Sequence, residues 1–578
     1  MILQALKDYY DRKAADPDSG IAPIGWELKE IPFVIVLDAQ GNLVQIEDTR
    51  EGMGKERRAK QFLVPEGVKK TSGIAANLLW DVAGYVFGIS YLDKLDESKK
   101  AKALERAPKQ KKAFYQRIFN ELPQNKKTQA ILSFLNNISI DRLRQEPTWA
   151  EIYEKNPVLS FRFEDENILF CQSESVVSAL RKENATESAP GLCMVTGEED
   201  KVATLHTVIK GVWGAQSSGA NIVSFNLDPF RSFNKQQGNN APVGKRAMFA
   251  YTTALNTLLA KGSAQRMQVG DASTVFWSAK ATHFENDFSS FFKEPEKDDP
   301  DSHTSSIRNL FDSVNTGAYL EDIGTERFYV IGLAPNAARI AVRFWQTGTV
   351  SEFAARIRQH FEDLRISKPE REQEFYSLWR LLVNIAVQDK SENIPPNIAG
   401  DFMRSILNGT PYPASLLQAA IRRIKSDTVN RVKPVRAALL KAYLNRYYRF
   451  HPNNNEKEIQ MSLDIEQGSI GYQLGRLFSV LEKIQEEANP GLNTTIKERY
   501  YSSACSSPVT VFPTLMRLKN HHMAKMEHKG RVTNMERLIG EIVGRFYDFP
   551  PHLNLHEQGK FAIGYYHQRQ DFFTKKEQ

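Results

Sequence analysis

Phe328-Tyr-Val-Ile-Gly-Leu333, Ala334-Pro-Asn-Ala337, Arg339-Ile-Ala-Val-Arg-Phe-Trp345 and Ser351-Glu-Phe-Ala-Ala-Arg-Ile-Arg-Gln-His-Phe-Glu-Asp-Leu364 form the stretch on which the fold class turns. The first and third runs are rich in β-branched and aromatic residues and read as strands, with a turn-compatible linker between them. The fourth repeats its apolar residues at helical spacing. Upstream, strand-like runs recur at Ile168 to Gln172, Leu192 to Val195, Asn221 to Phe225 and Thr274 to Ser278. Downstream, Glu372 to Val387, Ser415 to Lys425, Pro434 to Tyr448 and Ile470 to Glu487 all keep the helical period. The expected fold class is α+β: a mixed α/β region with short antiparallel strands over residues 1–349, then an all-helical bundle over 350–578.

Within the first region, Pro32 to Glu47 reads as a hairpin, because Val34, Val36, Leu43 and Val44 flank an Asp38-Ala-Gln-Gly-Asn42 turn. Ile74 to Phe87 and Asp93 to Asn136 read as helices, the second with a basic, solvated face from Lys99 to Lys112. Glu51 to Ser72, Lys293 to Asp301 and Pro452 to Glu456 read as loops.

A chain of 578 residues with 41% hydrophobic and 25% charged residues has the composition of a globular protein with several folding units. Its most apolar run, Asn77 to Leu92, is broken by Asp81 and is too short to span a bilayer. Lys7, Asp8, Asp11, Arg12 and Lys13 leave no apolar leader, so a cytoplasmic location without membrane partners is expected. Cys171, Cys193 and Cys505 stand far apart, as expected of reduced, buried thiols rather than of disulfides or a thiolate zinc site.

No catalytic constellation is legible. Gly238-Asn-Asn-Ala-Pro-Val-Gly-Lys-Arg246 has one residue too many for a phosphate-cradling Walker loop and ends in Arg where Ser or Thr should hold magnesium. His283-Phe-Glu285 lacks the paired cysteines of a zinc deaminase. His521, His522 and His528, beside Lys525 and Lys529, suit exposure or phosphate contact better than a metal. The expectation is a non-enzyme with no catalytic residue, metal or cofactor. The alternative is a nucleic-acid-processing enzyme, such as a metal-dependent nuclease, with an unrecognised carboxylate site.

Two segments point to nucleic acid. Gly211 to Gly219 holds three glycines, two serines and an amide, and the segment to Pro242 adds further cationic and amide side chains. Such backbone and side-chain donors suit base edges and phosphates, and phenylalanine can wedge or stack. The candidates for reading and opening a duplex are Lys210, Gln216, Ser217, Ser218, Asn221, Asn226, Lys235, Gln236, Asn239 and Asn240. A glycine- and asparagine-rich turn region held by its own side chains accounts for the same composition equally well. The second segment, Asp401 to Phe450, carries ten Lys or Arg against two Asp, a local net of +8 in a chain whose total is +7. Arg422, Arg423, Lys425, Arg431, Arg436, Lys441 and Arg446 are the candidates for gripping a phosphate backbone or a displaced strand.

Several blocks then become recognisable. Leu205 to Asn226, Asn239-Asn-Ala-Pro242 with Phe249-Ala-Tyr-Thr-Thr-Ala-Leu-Asn256, Phe328 to Arg339 with Val342-Arg-Phe-Trp345, and Phe561-Ala-Ile-Gly-Tyr-Tyr-His-Gln568 resemble the large subunit of the type I-C CRISPR Cascade complex. The resemblance implies a non-catalytic subunit of an RNA-guided complex that recognises the protospacer-adjacent motif (PAM) on duplex DNA, promotes R-loop formation and holds the displaced strand. It implies as partners the CRISPR RNA, the target duplex, the backbone and guide-handle-binding subunits, helical small subunits and a recruited helicase-nuclease. Relatives yield such a small subunit by internal translation initiation. Met461 stands where a start would free the helical residues 461–578.

Overall fold

The computed structural model describes the chain except for residues 53–56, 69, 71–72, 93–95, 184–190, 293–300, 317–324, 429–430, 453–455, 493 and 574–578. Parts of the three expected loops, including Lys55 and Lys69, therefore lie outside the described residues. Two compact units emerge, one of residues 1–209 and 221–257, the other of 210–220 and 258–578.

In the first unit the expected hairpin is present. Phe33–Leu37 pairs antiparallel with Leu43–Asp48, and the Asp38 carboxylate closes the turn by accepting from the Gln40 and Asn42 amides at 2.9 and 2.8 Å. Gly41 sits at φ +87°, and a Cβ there would lie 2.3 Å from the Ala130 carbonyl oxygen. Phe33–Leu37 also pairs with Val158–Phe163, and this pair is parallel rather than antiparallel. Trp80–Val82 completes the sheet. The helix expected from Ile74 shrinks to Ala83–Phe87, because Leu79 turns left-handed at φ +63° and the buried Asp81 carboxylate binds Lys70 and the Asn77 amide. The long basic segment forms two helices, Glu97–Glu121 and Lys126–Asn137.

Three expected strands are absent or reduced. Phe170–Gln172 is a 3-10 turn, Gly191–Leu192 pairs over two residues only, and 221–225 joins no named strand.

The second unit contains an antiparallel four-stranded sheet in the order Arg339–Thr349, Arg327–Asn336, Ala272–Ser278, Arg266–Val269. The decisive strand pair shifts register by one residue at a bulge between Gly332 and Leu333 and continues to Asn336 opposite Arg339, leaving a turn at Ala337, φ +52°. Thr349 and Glu352 then form a capping box that starts the helix Val350–Leu364. From there on the described chain is helical, so residue 350 marks a change of secondary structure inside the second unit, not the edge of a compact unit. Glu372 to Val387 is α-helical only over Leu378–Val383.

The bundle is built on the helices Ile470–Ala488 and Leu555–Phe573, whose backbones approach through glycine. A Cβ on Gly475 would lie 2.0 Å from the Phe561 carbonyl oxygen, and one on Gly564 would lie 2.1 Å from that of Tyr472. Two charged groups buried at this seam are paired: Arg476 with Gln473, Gln568 and Glu541, and Glu482 with Tyr565, Arg569 and Thr495. No helix among the described residues is long and apolar enough to cross a membrane.

Candidate nucleic-acid interface

The residues expected to read DNA divide between the two units. Lys210, Gln216, Ser217 and Ser218 fall in the segment grouped with the second unit, and Asn221, Asn226, Lys235, Gln236, Asn239 and Asn240 in the first. Residues 210–220 form a tight loop with Gly211, Gly214 and Gly219 at φ +84°, +77° and +90°. Its start is fixed to the sheet: the Trp213 amide donates to Ser273 Oγ at 2.9 Å and Arg266 Nη2 donates to the Gly211 carbonyl at 2.7 Å. Lys210, Gln216, Ser217 and Ser218 are all exposed, and so is Trp213, at 63%.

In the first unit, residues 227–240 form a second exposed loop. Its base is anchored where the Gly238 amide donates to the Thr204 carbonyl at 3.0 Å, at a contact so close that a Cβ on Gly238 would lie 2.0 Å from the Ala203 carbonyl oxygen. The Asn240 carboxamide spans the loop, accepting from the Ser232 amide at 2.8 Å and donating to the Gln237 and Lys235 carbonyls at 3.0 and 3.2 Å. Consecutive left-handed residues, Phe233 at φ +51° and Asn234 at φ +56°, form the tip. Phe233 is 93% exposed, with Lys235, Gln236 and Asn239 exposed nearby in sequence. A left-handed phenylalanine open to solvent carries both a backbone and a hydration cost.

Two of the expected readers have their side chains engaged within the chain. Asn240 uses its carboxamide as scaffold, and the Asn221 side chain donates to the His206 and Thr207 carbonyls at 3.0 and 3.4 Å. Both carboxamides brace their own loops. Asn226, like Asn239, is exposed. Trp213 and Phe233 are absent from the sequence-derived set, although aromatics in glycine- and amide-rich loops were visible in the sequence.

The expected cationic ledge is largely interior. Arg436 is wholly buried, donating to Asp389, Asp427 and the Asn384 carbonyl at 2.9, 2.9 and 2.8 Å. Arg431 is buried against the carbonyls of Lys425 and Glu498, and Lys441 donates to the Asp363 carbonyl at 2.9 Å. Arg446 lies 3.7 Å from Asp363 and 4.5 Å from the centre of the Tyr412 ring. Arg423 pairs with Asp389 and Asp427, and Lys425 donates to Ser506. Only Arg422 of this set is exposed.

An exposed cationic stripe stands elsewhere. On the helix Pro508–Lys525, Arg517, His521 and Lys525 are exposed at i, i+4 and i+8, and His528 and Lys529 follow, also exposed. Arg517, Lys525 and Lys529 make no ion pair among the described residues. Glu527 is the one carboxylate from 517 to 529. Among the described residues no group of three or more His, Cys, Asp or Glu is arranged to hold a metal ion.

Residues 6–573 match the family described as CRISPR-associated protein (Cas_Csd1). The chain belongs to the Cas_Csd1 family. The chain is therefore the large subunit of a type I-C CRISPR Cascade complex. No curated protein matches the chain. In the Csd1 chain the four recognisable blocks fall on the glycine loop, the 227–240 loop with its following helix, the decisive strand pair and the helix Leu555–Phe573.

Proposed function

We propose that this Csd1 subunit recognises the PAM on double-stranded DNA, promotes duplex opening and R-loop formation, and stabilises the displaced strand, breaking no bond itself. The observation that carries the reading is the 227–240 loop, in which Asn240 braces a tip that presents an exposed, left-handed Phe233 beside exposed cation and amide side chains. An aromatic ring of this kind gains by stacking between unpaired bases, while Lys235, Gln236 and Asn239 can contact phosphate and base edges. The 210–220 loop offers the same chemistry with Trp213, Gln216, Ser217 and Ser218.

The displaced strand is assigned to the stripe of Arg517, His521, Lys525, His528 and Lys529, with Arg422 as a separate exposed cation. Guide–target pairing supplies most of the sequence specificity, and a separate helicase-nuclease recruited to the opened complex does the cutting. The backbone and guide-handle-binding subunits, and helical small subunits, complete the assembly. Met461, which is 48% exposed in a non-helical segment, is the proposed internal start for a 461–578 small subunit. That product would carry the cationic stripe with it.

The test substitutes Phe233, Gln216 and Asn239 singly by Ala in the assembled complex and measures binding to duplexes with the correct and a scrambled flank. The reading expects a larger loss on the correct flank. Equal losses on both remove the recognition role. Expression of the chain with Met461→Leu should abolish a short C-terminal product; its persistence would assign that product to another start or to proteolysis.

A further inference from the structure

A cavity of about 450 Å³ opens in the second unit, bounded by the helix Asp301–Thr316, residues 365–375 and Met461. It shares no residue with either exposed loop or the cationic stripe. Arg308, Phe311 and Asp312 reach it from one helix face, at i, i+3 and i+4.

One wall is aromatic. Phe311 stacks on Phe375 with centroids 5.8 Å and planes 22° apart, and Phe375 meets Phe361 edge-on at 5.7 Å, which ties the wall to the hydrophobic core. The cations around it are not equivalent. Arg308 is neutralised by Glu374 at 2.5 Å. Lys368 is held by the backbone carbonyls of Gln373 and Glu374 and lies 4.3 Å from the centre of the Tyr376 ring, making no ion pair among the described residues. Burial brings its pKa down to about 8, so an incoming anion would hold it protonated. Arg365 is exposed and likewise makes no ion pair among the described residues.

The volume lies within the range of small-molecule sites, roughly 300–1,000 Å³. An apolar ligand would leave Arg365 and Lys368 without an anion, and a bare phosphate would leave the aromatic wall uncovered. A planar ring joined to a phosphate meets both needs. We infer that this cavity takes one nucleotide extruded from single-stranded nucleic acid, its base against Phe311 and Phe375 and its phosphate at Arg365 and Lys368. The inference rests on the reading that the chain handles single strands, and it adds a discrete site to that reading. Only Met461 of the lining belongs to residues 461–578, so the site would belong to the full chain and not to an internally initiated product.

The experiment uses the purified full chain and a short oligothymidine carrying one central 2-aminopurine and a terminal dye. Dye anisotropy reports strand binding, and 2-aminopurine fluorescence reports stacking. Binding by the unmodified chain should quench the 2-aminopurine, and Phe311→Leu and Arg365→Gln should each relieve the quench and weaken binding about tenfold. Arg365 is exposed, so its variant is not expected to disturb folding. Strand binding with an undiminished quench in both variants would overturn the cavity's role and leave the proposed function standing. Failure of the unmodified chain to bind the strand would overturn both.

Discussion

Arg436 and Asp389 form an ion pair at 2.9 Å in which the arginine side chain is completely buried. Asp427 holds the other side of the same guanidinium at 2.9 Å. A cation so enclosed has no donor to offer a phosphate, and its removal leaves two carboxylates short of their partner. Arg436→Met should therefore destabilise the chain by roughly 3 kcal/mol. DNA affinity and its salt slope, compared on the folded fraction, should not change. Denaturant unfolding and salt-dependent binding measure the two effects separately.

The exposed stripe predicts the opposite pattern. Arg517→Gln, Lys525→Gln and Lys529→Gln together should leave unfolding unchanged. They should weaken single-strand binding and lower the log–log salt slope by about 2, at roughly 0.7 for each phosphate that is no longer neutralised. Titration of affinity against salt checks this, and an unchanged slope would remove the stripe from the strand path.

The helix seam predicts a steric effect. At Gly475 and Gly564 an alanine Cβ would meet backbone carbonyl oxygens at 2.0 and 2.1 Å, and backbone cannot swing aside as a side chain can. Gly475→Ala and Gly564→Ala should each cost about 3 kcal/mol or more. By contrast, Gly530→Ala, where nothing lies within 4 Å, should be neutral or mildly stabilising. Denaturant midpoints of the three variants decide it.

Glu557 joins the two helices of the seam. Burial alone would raise its pKa, but Lys560, the Ser469 hydroxyl and the Gly471 amide together hold the carboxyl below its ordinary value. A depressed folded-state pKa gives stability that is present above the unfolded carboxylate pKa and lost as pH falls through the folded one. Acid should therefore loosen this seam below about pH 4. Glu557→Gln should remove that part of the pH dependence while lowering stability at neutral pH, as thermal unfolding across pH would show.

The legible parts of the fold were those with local chemistry of their own. The hairpin at 33–48 carries its turn in Asp38, Gly41 and Asn42, and the helix at 350 carries its start in Thr349 and Glu352. The 221–225 segment looked like a strand because Ile222, Val223 and Phe225 are strand formers. Its Asn221 side chain instead ties it to the 206–207 backbone. The cationic ledge misled for a related reason. Periodicity shows which face is apolar, but the helix Pro434–Phe450 carries apolar residues all round its cations, with Val435, Ala438, Leu439, Leu440 and Leu444 all buried. A helix apolar all round is an interior helix, and its cations must find partners inside. The stripe had a readable signal, Arg517, His521 and Lys525 at i, i+4 and i+8 with Val511 and Leu515 turned into the core. The pairing of distant residues, such as Asp389 with Arg436, is written in no local pattern.

The 227–240 loop yields a prediction that separates scaffold from contact. Asn240→Ala removes three hydrogen bonds that hold the tip, so it should reduce flank-dependent binding about as much as Phe233→Ala does. The cost to global stability should stay near 1 kcal/mol, since the loop is exposed. Phe233→Trp, which keeps a stacking ring, should retain most of the binding. A loop that serves only its own fold would show no flank dependence in any of the three.

The central claim is that the braced aromatic loop and the exposed stripe lie against nucleic acid while the buried cations do not. Photo-crosslinking from p-benzoylphenylalanine placed singly at positions 233 and 521 of the assembled complex, loaded with labelled target duplex, tests it most directly. The account predicts crosslinks from position 233 to the duplex beside the flanking motif and from position 521 to the displaced strand. Absence of nucleic-acid crosslinks from both positions in a complex that still forms R-loops would contradict it.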